Sequence, residues 1–277
     1  MAEVIEVGHS PDPDDAFMFY ALTAGKLETD DLEFHHVLQD IETLNRWAME
    51  ARLPVTALSL HAYAYVADKY ALLPHGASMG RQYGPIVVAR RPLGLDELRR
   101  ETIAIPGTLT TAFLTLRVCL GEILYAVVPF DQILDVVATG RYGAGVIIHE
   151  GQLTYQDHGL VKILDLGAWW HDETRLPLPL GVNAVRRDLG ESKMRQIARL
   201  LEASIRYALE HRQEALSYAM GFARGIDRSS TDTFVGMYVN ELTLAYGGEG
   251  RRAVETLLQW GFKEGILPNQ VGVHFIE

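Results

Sequence analysis

The chain has 277 residues, a length at which two domains are expected, and 48% of its residues are hydrophobic while 22% are charged. Its net charge of −11 excludes the basic surface that binding to nucleic acid or an anionic membrane requires, although helix N-termini and hydroxyl groups can still bind a small anion. No stretch approaches the roughly 18 apolar residues of a membrane span, and the opening MAEVIEVGHS lacks the basic and apolar regions of a secretory signal. We therefore expect a cytoplasmic protein, with its oligomeric state left open, a homodimer included.

The first elements alternate between strand and helix. An apolar strand over residues 4–8 runs into HSPDPDD and then a helical pattern, with Asp14 expected as the N-cap. A second strand follows over residues 32–38. Its adjacent His35 and His36 must point to opposite faces, so they cannot bind one metal ion together.

The third strand ends at a polar junction. Asp40 is expected to cap a helix, after which VTALSL at residues 55–60 predicts a strand that continues directly into a helical stretch. Ser59 lies at that transition. It is either an ordinary N-cap or a ligand-facing hydroxyl beside free helix-start amides, and the two roles are compatible.

A similar junction follows in a second series of strands and helices. GPIVVAR at residues 84–90 predicts the last strand of the first series, and Pro92 with Gly94 then interrupts the chain. A strand over residues 102–106 leads into a helix through Thr110 and Thr111. This hydroxyl-rich helix start is either an oxyanion site or an ordinary first turn, and it lacks the lysine and glycine spacing of a P-loop.

The stretch GVIIHEGQLTY, residues 145–155, is the most informative in the chain. Residues 146–148 are β-branched and continuously apolar, which predicts a strand covered on both faces. His149 follows at the carboxyl end of that strand, the edge where open α/β sheets bind ligands. It is either a general base or a histidine that pairs with a backbone carbonyl, and nine other histidines compete for the role of base.

These elements predict a two-lobed α/β protein. The first lobe is expected to comprise residues 1–92 and 183–277, and the second lobe residues 93–182. After residue 190 the pattern is helical without intervening strands, as in the apolar series Met194, Ile197, Leu201, Ile205 and Ala208. Two chain crossings between lobes would create a cleft, where small ligands commonly bind.

Several cofactor motifs are missing from the sequence. It contains no HExxH pattern, and GRYGAG at residues 140–145 lacks the spacing of a dinucleotide fingerprint. WWHDE at residues 169–173 contains groups that can bind metals, but it is more typical of an aromatic loop with solvated charges. If the protein is an enzyme, we expect it to work without metal or nucleotide.

Five motifs in order resemble the 1,4-dihydroxy-6-naphthoate synthase family, the lyases of the futalosine route to menaquinone. They are SPDPDDAFMFYAL, LSLHAYAYV, GTLTTAF, GVIIHE, and LDLGAWW with LPLPLG. The likeness extends from residue 3 to about residue 185. It implies a periplasmic-binding-protein-like type II fold whose cleft serves catalysis. It also implies conversion of cyclic dehypoxanthinyl futalosine, a carboxylated substrate, to 1,4-dihydroxy-6-naphthoate without a cofactor.

The resemblance also implies roles for individual residues. His149 matches the family's proposed proton acceptor. The substrate contacts that it implies, with Thr110 added as a neighbour and with Ser10 and Asp14 as further candidates, are Ala57, Leu58, Ser59, Thr110, Thr111, Ala112, Ser10 and Asp14.

Two departures from the family pattern concern this site. The family more often has SPCPND where this chain has SPDPDD, and an added carboxylate there would weaken the binding of an anion. The family commonly has HES where this chain has His149, Glu150 and Gly151. A side-chain role at position 151 is therefore in doubt.

Two other functions remain as alternatives. A cytoplasmic small-anion binding protein could use the same scaffold, since a fold alone does not determine function. A chorismate dehydratase of the same pathway is the second alternative, and GVIIHEG together with LGAWW favours the lyase over it.

Overall fold

The structure, a computed structural model, describes residues 2–277 and contains two β-sheets. The strands are β1 (Glu3–His9), β2 (Leu32–Leu38), β3 (Val55–Ser59), β4 (Tyr70–Leu72), β5 (Ser78–Gly80), β6 (Ile86–Ala89), β7 (Thr102–Ile105), β8 (Leu124–Val127), β9 (Ala144–Ile147), β10 (Val161–Asp165) and β11 (Leu178–Arg186). The first sheet has the order β2-β1-β3-β11-β4, with β5 paired to β11, and the second has the order β10-β6-β9-β7-β8. We call them the first sheet and the second sheet.

Helices surround both sheets. They are α1 (Pro13–Thr23), α2 (Ile41–Met49), α3 (Leu60–Tyr63), α4 (Leu95–Leu98), α5 (Thr111–Leu120), α6 (Ile133–Ala138), α7 (Gly151–Thr154), α8 (Leu166–Thr174), α9 (Glu191–Glu210), α10 (Arg212–Ala219), α11 (Arg228–Tyr238), α12 (Glu241–Leu244) and α13 (Gly247–Lys263). No helix within residues 2–277 combines the length and apolar character needed to cross a membrane.

The central strands are buried because helices cover both of their faces. Every residue of β3 and of β9 is buried, as their continuous apolar sequences predict. In the first sheet β1 runs parallel to β2 and β3, while β3 pairs antiparallel with β11. In the second sheet β7 runs parallel to β8 and β9, and β6 pairs antiparallel with β9. Both sheets therefore have parallel strands whose carboxyl ends lead into helices.

The chain crosses between the sheets at other points than the sequence predicts. The strand β6 lies in the second sheet, although the predicted boundary at residue 92 puts it in the first lobe. On the return, β11 already belongs to the first sheet at Leu178, before the predicted boundary at residue 183. Pro92 and Gly94 therefore lie between β6 and β7, two strands of the second sheet, and not between the two lobes. Local turn signals cannot show which sheet a strand joins, because long-range pairing decides that.

The helical tail packs against the first sheet's helix α1. The predicted apolar face of α9 is buried, and Ser204 Oγ donates a hydrogen bond to the Met18 carbonyl at 2.9 Å. Residues 191–277 form helices and loops, with one isolated bridge between Leu72 and Phe275. The prediction of helices without a third sheet is confirmed.

Capping explains where several helices begin. Asp40 accepts a hydrogen bond from the Thr43 amide at 3.0 Å and caps α2 as predicted. The prediction for Asp14 is wrong, because α1 begins at Pro13 and its N-cap position is Asp12. Proline suits the first helical position, since that residue needs no amide donor there. Asp14 instead lies in the first turn, where its carboxyl group is close to the helix amides.

Candidate active site

A cavity between the two sheets brings together most of the predicted site residues. The first sheet contributes residues around the carboxyl ends of β1 and β3 and in the middle of β11, and the second contributes the start of α5 and Ile148, which follows β9. The predicted residues that line it are Ser10, Asp14, Ala57, Ser59, Thr110, Thr111 and Ala112. Two predicted residues do not line it. Leu58 is fully buried on the opposite face of β3, because successive strand residues alternate, and His149 lies behind Ile148.

Neutral hydrogen bonds hold the Ser59 side of the cavity. Asn45 donates from Nδ2 to Ser59 Oγ at 3.0 Å, and its Oδ1 accepts from the Ser59 amide at 2.9 Å. Asn45 is fully buried on α2, and it also donates to the Leu109 carbonyl at 3.3 Å, next to the start of α5. The Ser59 side chain makes no capping bond to α3, so its hydroxyl is held at the cavity by Asn45. The sequence analysis missed Asn45 because it lies within an amphipathic helix.

The two threonines at the start of α5 differ in their roles. Thr110 caps the helix, since its Oγ accepts from the Phe113 amide at 3.2 Å and donates to the Gly107 carbonyl at 2.9 Å. Thr111 Oγ donates to the Leu180 carbonyl at 2.5 Å. Because Leu180 belongs to β11 of the first sheet, the Thr111 hydroxyl links the two sheets across the cavity. Thr110 therefore has the ordinary role of a helix cap, whereas Thr111 connects the two sheets at the cavity.

Aspartates dominate the opposite wall. The Ser10 amide and hydroxyl both donate to Asp15 Oδ2 at 2.8 Å. Burial raises the pKa of Asp15 to about 6 even though these bonds oppose the shift. Burial also raises the pKa of Asp14 well above its usual value, and Asp15 and Asp12 add to that rise. The group therefore retains protons at a pH where free aspartates have lost them, which lessens its repulsion of an anion.

Residues 2–277 contain no group of three or more His, Cys, Asp or Glu side chains placed to hold one metal ion.

Two histidines, His9 fully buried and His36 partly buried, contact each other next to Ser10. His9 Nδ1 is 3.0 Å from the Ser10 carbonyl, and His9 Nε2 is 3.0 Å from His36 Nδ1. Burial lowers the pKa of His9 to about 3 and that of His36 to about 4, so both are neutral near pH 7. His35 points away and pairs with Glu33 on the surface, which confirms that the adjacent histidines face opposite sides. His9 therefore supports the backbone of Ser10.

His149 is almost fully buried two residues after β9. Its Nε2 is 3.2 Å from the Phe130 carbonyl, and its Nδ1 is 3.0 Å from the Gly151 amide. Because a carbonyl only accepts, Nε2 carries the hydrogen of the neutral ring, and the lone pair lies on Nδ1 facing the Gly151 amide. Burial lowers the pKa of His149, so the imidazole is neutral and retains a basic nitrogen near pH 7.

Gly151 provides the space in which this ring lies. A Cβ atom at position 151 would lie 2.6 Å from His149 Cε1 and 2.9 Å from Leu134 Cδ1. Any side chain there would therefore displace the imidazole from its present position. The glycine at position 151, where the family commonly has serine, therefore leaves the space that the His149 ring occupies.

An ion pair beside His149 was not predicted. Glu150 is buried, and its carboxylate accepts from Arg224 Nη1 at 3.1 and 3.2 Å. Arg224 Nη1 also lies 2.8 Å from Asp12 Oδ1. Glu150 is in the motif that the sequence analysis singled out. Arg224 has no local signal, because its partners lie far away in the chain.

Comparisons with known proteins show the family of this chain. Residues 5–263 match a family model described as menaquinone biosynthesis. A 1,4-dihydroxy-6-naphthoate synthase from Thermus thermophilus is 46% identical over 95% of this chain and 96% of its own length. A second synthase of that name, from Streptomyces coelicolor, is 36% identical over 96% of both chains. The chain belongs to the menaquinone biosynthesis family.

Solved structures show the fold of this menaquinone biosynthesis family member. A crystal structure of a protein from Archaeoglobus fulgidus superimposes with a TM-score of 0.91 at 45% identity, covering 95% of this chain and 98% of that one. A Candida albicans protein, described as having the generic periplasmic binding protein fold, gives a TM-score of 0.68 at 13% identity, covering 99% and 98% of the two chains. The predicted α/β periplasmic-binding-protein-like fold is confirmed.

Proposed function

We propose that this chain is a lyase that converts cyclic dehypoxanthinyl futalosine to 1,4-dihydroxy-6-naphthoate in menaquinone biosynthesis. The observation that carries the proposal is the meeting of Ser59 from the first sheet and Thr111 from the second over one cavity, with the His149 segment at its side. The shared name of two synthases that align along nearly the whole chain supports this choice of reaction.

The hydroxyl side of the cavity binds the substrate in this proposal. The free amides at the start of α5, at Thr111 and Ala112, are suited to a carboxylate or to sugar oxygens because their partial charge favours an anion. Ser59 adds a hydroxyl that Asn45 holds in place. Thr110 contributes through its cap, which fixes the first turn of the helix.

His149 accepts the proton that must leave as the ring system becomes aromatic. Its neutral state suits a base, and a positioned base contributes roughly 10²- to 10⁴-fold to the rate. The Nδ1 lone pair now faces the Gly151 amide, so the ring must turn away from Gly151 to reach a substrate next to Ile148. Aromatisation supplies much of the driving force.

The proposal also covers the setting of the reaction. We expect the protein to act in the cytoplasm on a carboxylated small molecule, without nucleic acid, membrane, metal or organic cofactor as a partner. The neutral hydrogen-bonding groups of the cavity support binding of an anion by an acidic protein.

The decisive test is a turnover assay on purified protein with cyclic dehypoxanthinyl futalosine and no added metal or cofactor. Absorbance and mass spectrometry would follow the naphthoate product. Product formation is the expected result, and its absence with active protein would overturn the proposed reaction.

The same preparation tests the alternatives. Calorimetric binding of the substrate without turnover would indicate a binding protein. Consumption of chorismate, followed by mass spectrometry, would indicate the dehydratase. A Streptomyces coelicolor or Thermus thermophilus synthase assayed beside it would control for the quality of the substrate.

A further inference from the structure

Arg224 connects parts of the molecule that are far apart in sequence. It lies in the loop before α11, and its Nη2 donates to the Pro11 carbonyl at 3.2 Å. Its Nη1 contacts Asp12 in the loop after β1 and Glu150 in the segment after β9. One guanidinium therefore ties the helical tail and the first sheet's loop to the second sheet's His149 segment.

The buried Glu150 depends on this contact. Its side chain is only 3% exposed, and a buried carboxylate without a partner is strongly unfavourable. Within residues 2–277 its ion pair is with Arg224, and its Oε2 also lies 3.7 Å from Nδ1 of the neutral His149 ring. Arg224 also donates its backbone amide to Glu150 Oε1 at 3.4 Å. The orientation of Glu150 is thus set largely by Arg224.

Phe130 and Glu150, the neighbours of Arg224 on the side of the second sheet, also contact His149. The guanidinium carbon lies 4.8 Å from the centre of the Phe130 ring, an arrangement typical of a cation–π contact. The same ring packs edge-on against His149, with centroids 5.5 Å apart, and the Phe130 carbonyl pairs with His149 Nε2. Arg224 thereby reaches the imidazole through two independent contacts without touching it.

We propose that Arg224 is a positioning residue for the reaction, which holds His149 at the edge of the cavity by tying Glu150 and Phe130 to Asp12. The inference rests on the proposed function, since His149 needs positioning only if it accepts a proton. It goes further by assigning a role to a residue outside the cavity wall and to the ion pair behind the base.

The charges around His149 give the proposal a signature that simple loss of stability would not produce. Burial lowers the pKa of His149, Glu150 and Asp12 raise it, Arg224 lowers it, and the Phe130 carbonyl raises it. Arg224 itself stays charged, because Asp12 and Glu150 outweigh its burial and raise its pKa. Removal of Arg224 should therefore raise the pKa of His149, and removal of the Glu150 charge should lower it.

The test is an NMR titration of the His149 ring in the ligand-free full-length protein, with His149→Asn used to assign the resonance. Arg224→Gln should raise the pKa of His149, because a nearby positive charge that disfavours the protonated ring is lost. Glu150→Gln should lower it, while Arg224→Lys should stay near the wild-type value because the charge remains. If Arg224→Gln leaves the His149 pKa unchanged, or if both neutral variants shift it in the same direction, the proposal fails.

Arg228→Gln is a matched control, because Arg228 lies four residues after Arg224 in the chain. Within residues 2–277 its side chain donates hydrogen bonds to Ser217 and Gln213 and to no group near His149. In the turnover assay Arg224→Gln should lower kcat by at least about tenfold with a smaller change in KM, while Arg228→Gln matches wild type. Equal kcat values in these two variants would overturn the positioning role. If Arg224→Gln does not fold, Arg224→Lys should still leave the His149 pKa near the wild-type value while Glu150→Gln lowers it, and an unchanged pKa in Glu150→Gln would overturn the proposal. Wild-type protein without turnover would refute the proposed reaction. The titration would then still show whether Arg224 influences the His149 ring.

Discussion

The two walls of the cavity are built by different physical means. On the hydroxyl wall, Ser59 and Thr111 are held by neutral hydrogen bonds to Asn45 and to the Leu180 carbonyl. The charged wall comprises Asp14, which lines the cavity near other carboxylates, together with the groups next to the lining, namely His149 and the Glu150–Arg224 ion pair. Neutral hydrogen bonds change little with pH, whereas the protonation of buried charged groups changes with every neighbouring charge. Under the proposed function, the hydroxyl wall binds the substrate and the charged wall moves protons.

The arrangement also supports the proposed binding of a carboxylated ligand by an acidic protein. Thr111 and Ala112 present amide groups at a helix start, and the raised pKa values of Asp14 and Asp15 reduce negative charge on the opposite wall. The net charge of −11 is thus a poor guide to the potential inside the cavity. Local desolvation determines that potential.

The largest expected effect is on the charged wall, at His149. His149→Asn should lower kcat by at least about a hundredfold while the fold and ligand binding are retained, because asparagine is not basic at neutral pH. Turnover and calorimetric binding of the naphthoate product would measure the two effects. His158→Asn is the control, since His158 lies on the surface beside Asp135. Near-normal turnover in His149→Asn would refute the assignment of the base.

A smaller effect, mainly on binding, is expected on the hydroxyl wall. Thr111→Val keeps the shape of the side chain but removes the bond to the Leu180 carbonyl, so KM should rise by about tenfold with a smaller change in kcat. Steady-state kinetics would show the split. Thr115→Val is a matched control. Within residues 2–277 the Thr115 hydroxyl donates one hydrogen bond, to the Thr111 carbonyl of the same helix at 2.9 Å. A fall in kcat at unchanged KM would contradict the division between the walls.

The smallest effect concerns the pH dependence of binding. Since the pKa of Asp14 is raised, its carboxyl group is neutral below that pKa and gains a negative charge as the pH increases through it. Affinity for the carboxylated product should therefore fall by about fivefold as the pH rises through the raised pKa of Asp14, and Asp14→Asn should reduce that fall. Calorimetry between pH 5 and pH 8, a range that also includes the titration of Asp15 at about pH 6, would measure the change in affinity.

Asp172→Asn controls for overall charge, because Asp172 is exposed on α8. An identical pH profile in the wild type and Asp14→Asn would show that Asp14 does not influence ligand binding.

Much of the fold could be predicted because local patterns report local structure. The apolar runs of β3 and β9 and the cap Asp40 each act within a few residues. Seven of the predicted site residues line one cavity because strand ends followed by helix starts share an edge of the sheet. The lobe boundaries were less accurate, since β6 joins a sheet that its own sequence does not specify.

The site shows the same limit at single residues. Leu58 was expected at the cavity with its neighbours, but the pleat turns its side chain into the core. Asp14 was expected as a cap, but Pro13 begins the helix one residue earlier. Asn45 and Arg224 were missed altogether, because their partners Ser59 and Glu150 lie 14 and 74 residues away.

The sequence by itself determined the alternation of strands and helices, the hydroxyl-rich junctions and the family to which the chain is similar, because each of these depends on residues that are close together in the chain. Only the tertiary structure decided which junctions meet, that the His149 ring faces the Gly151 amide, and that Arg224 pairs with Glu150 and Asp12. The physical reason is that the charge states and orientations of buried groups depend on neighbours brought in from distant parts of the chain, and on the loss of water around them.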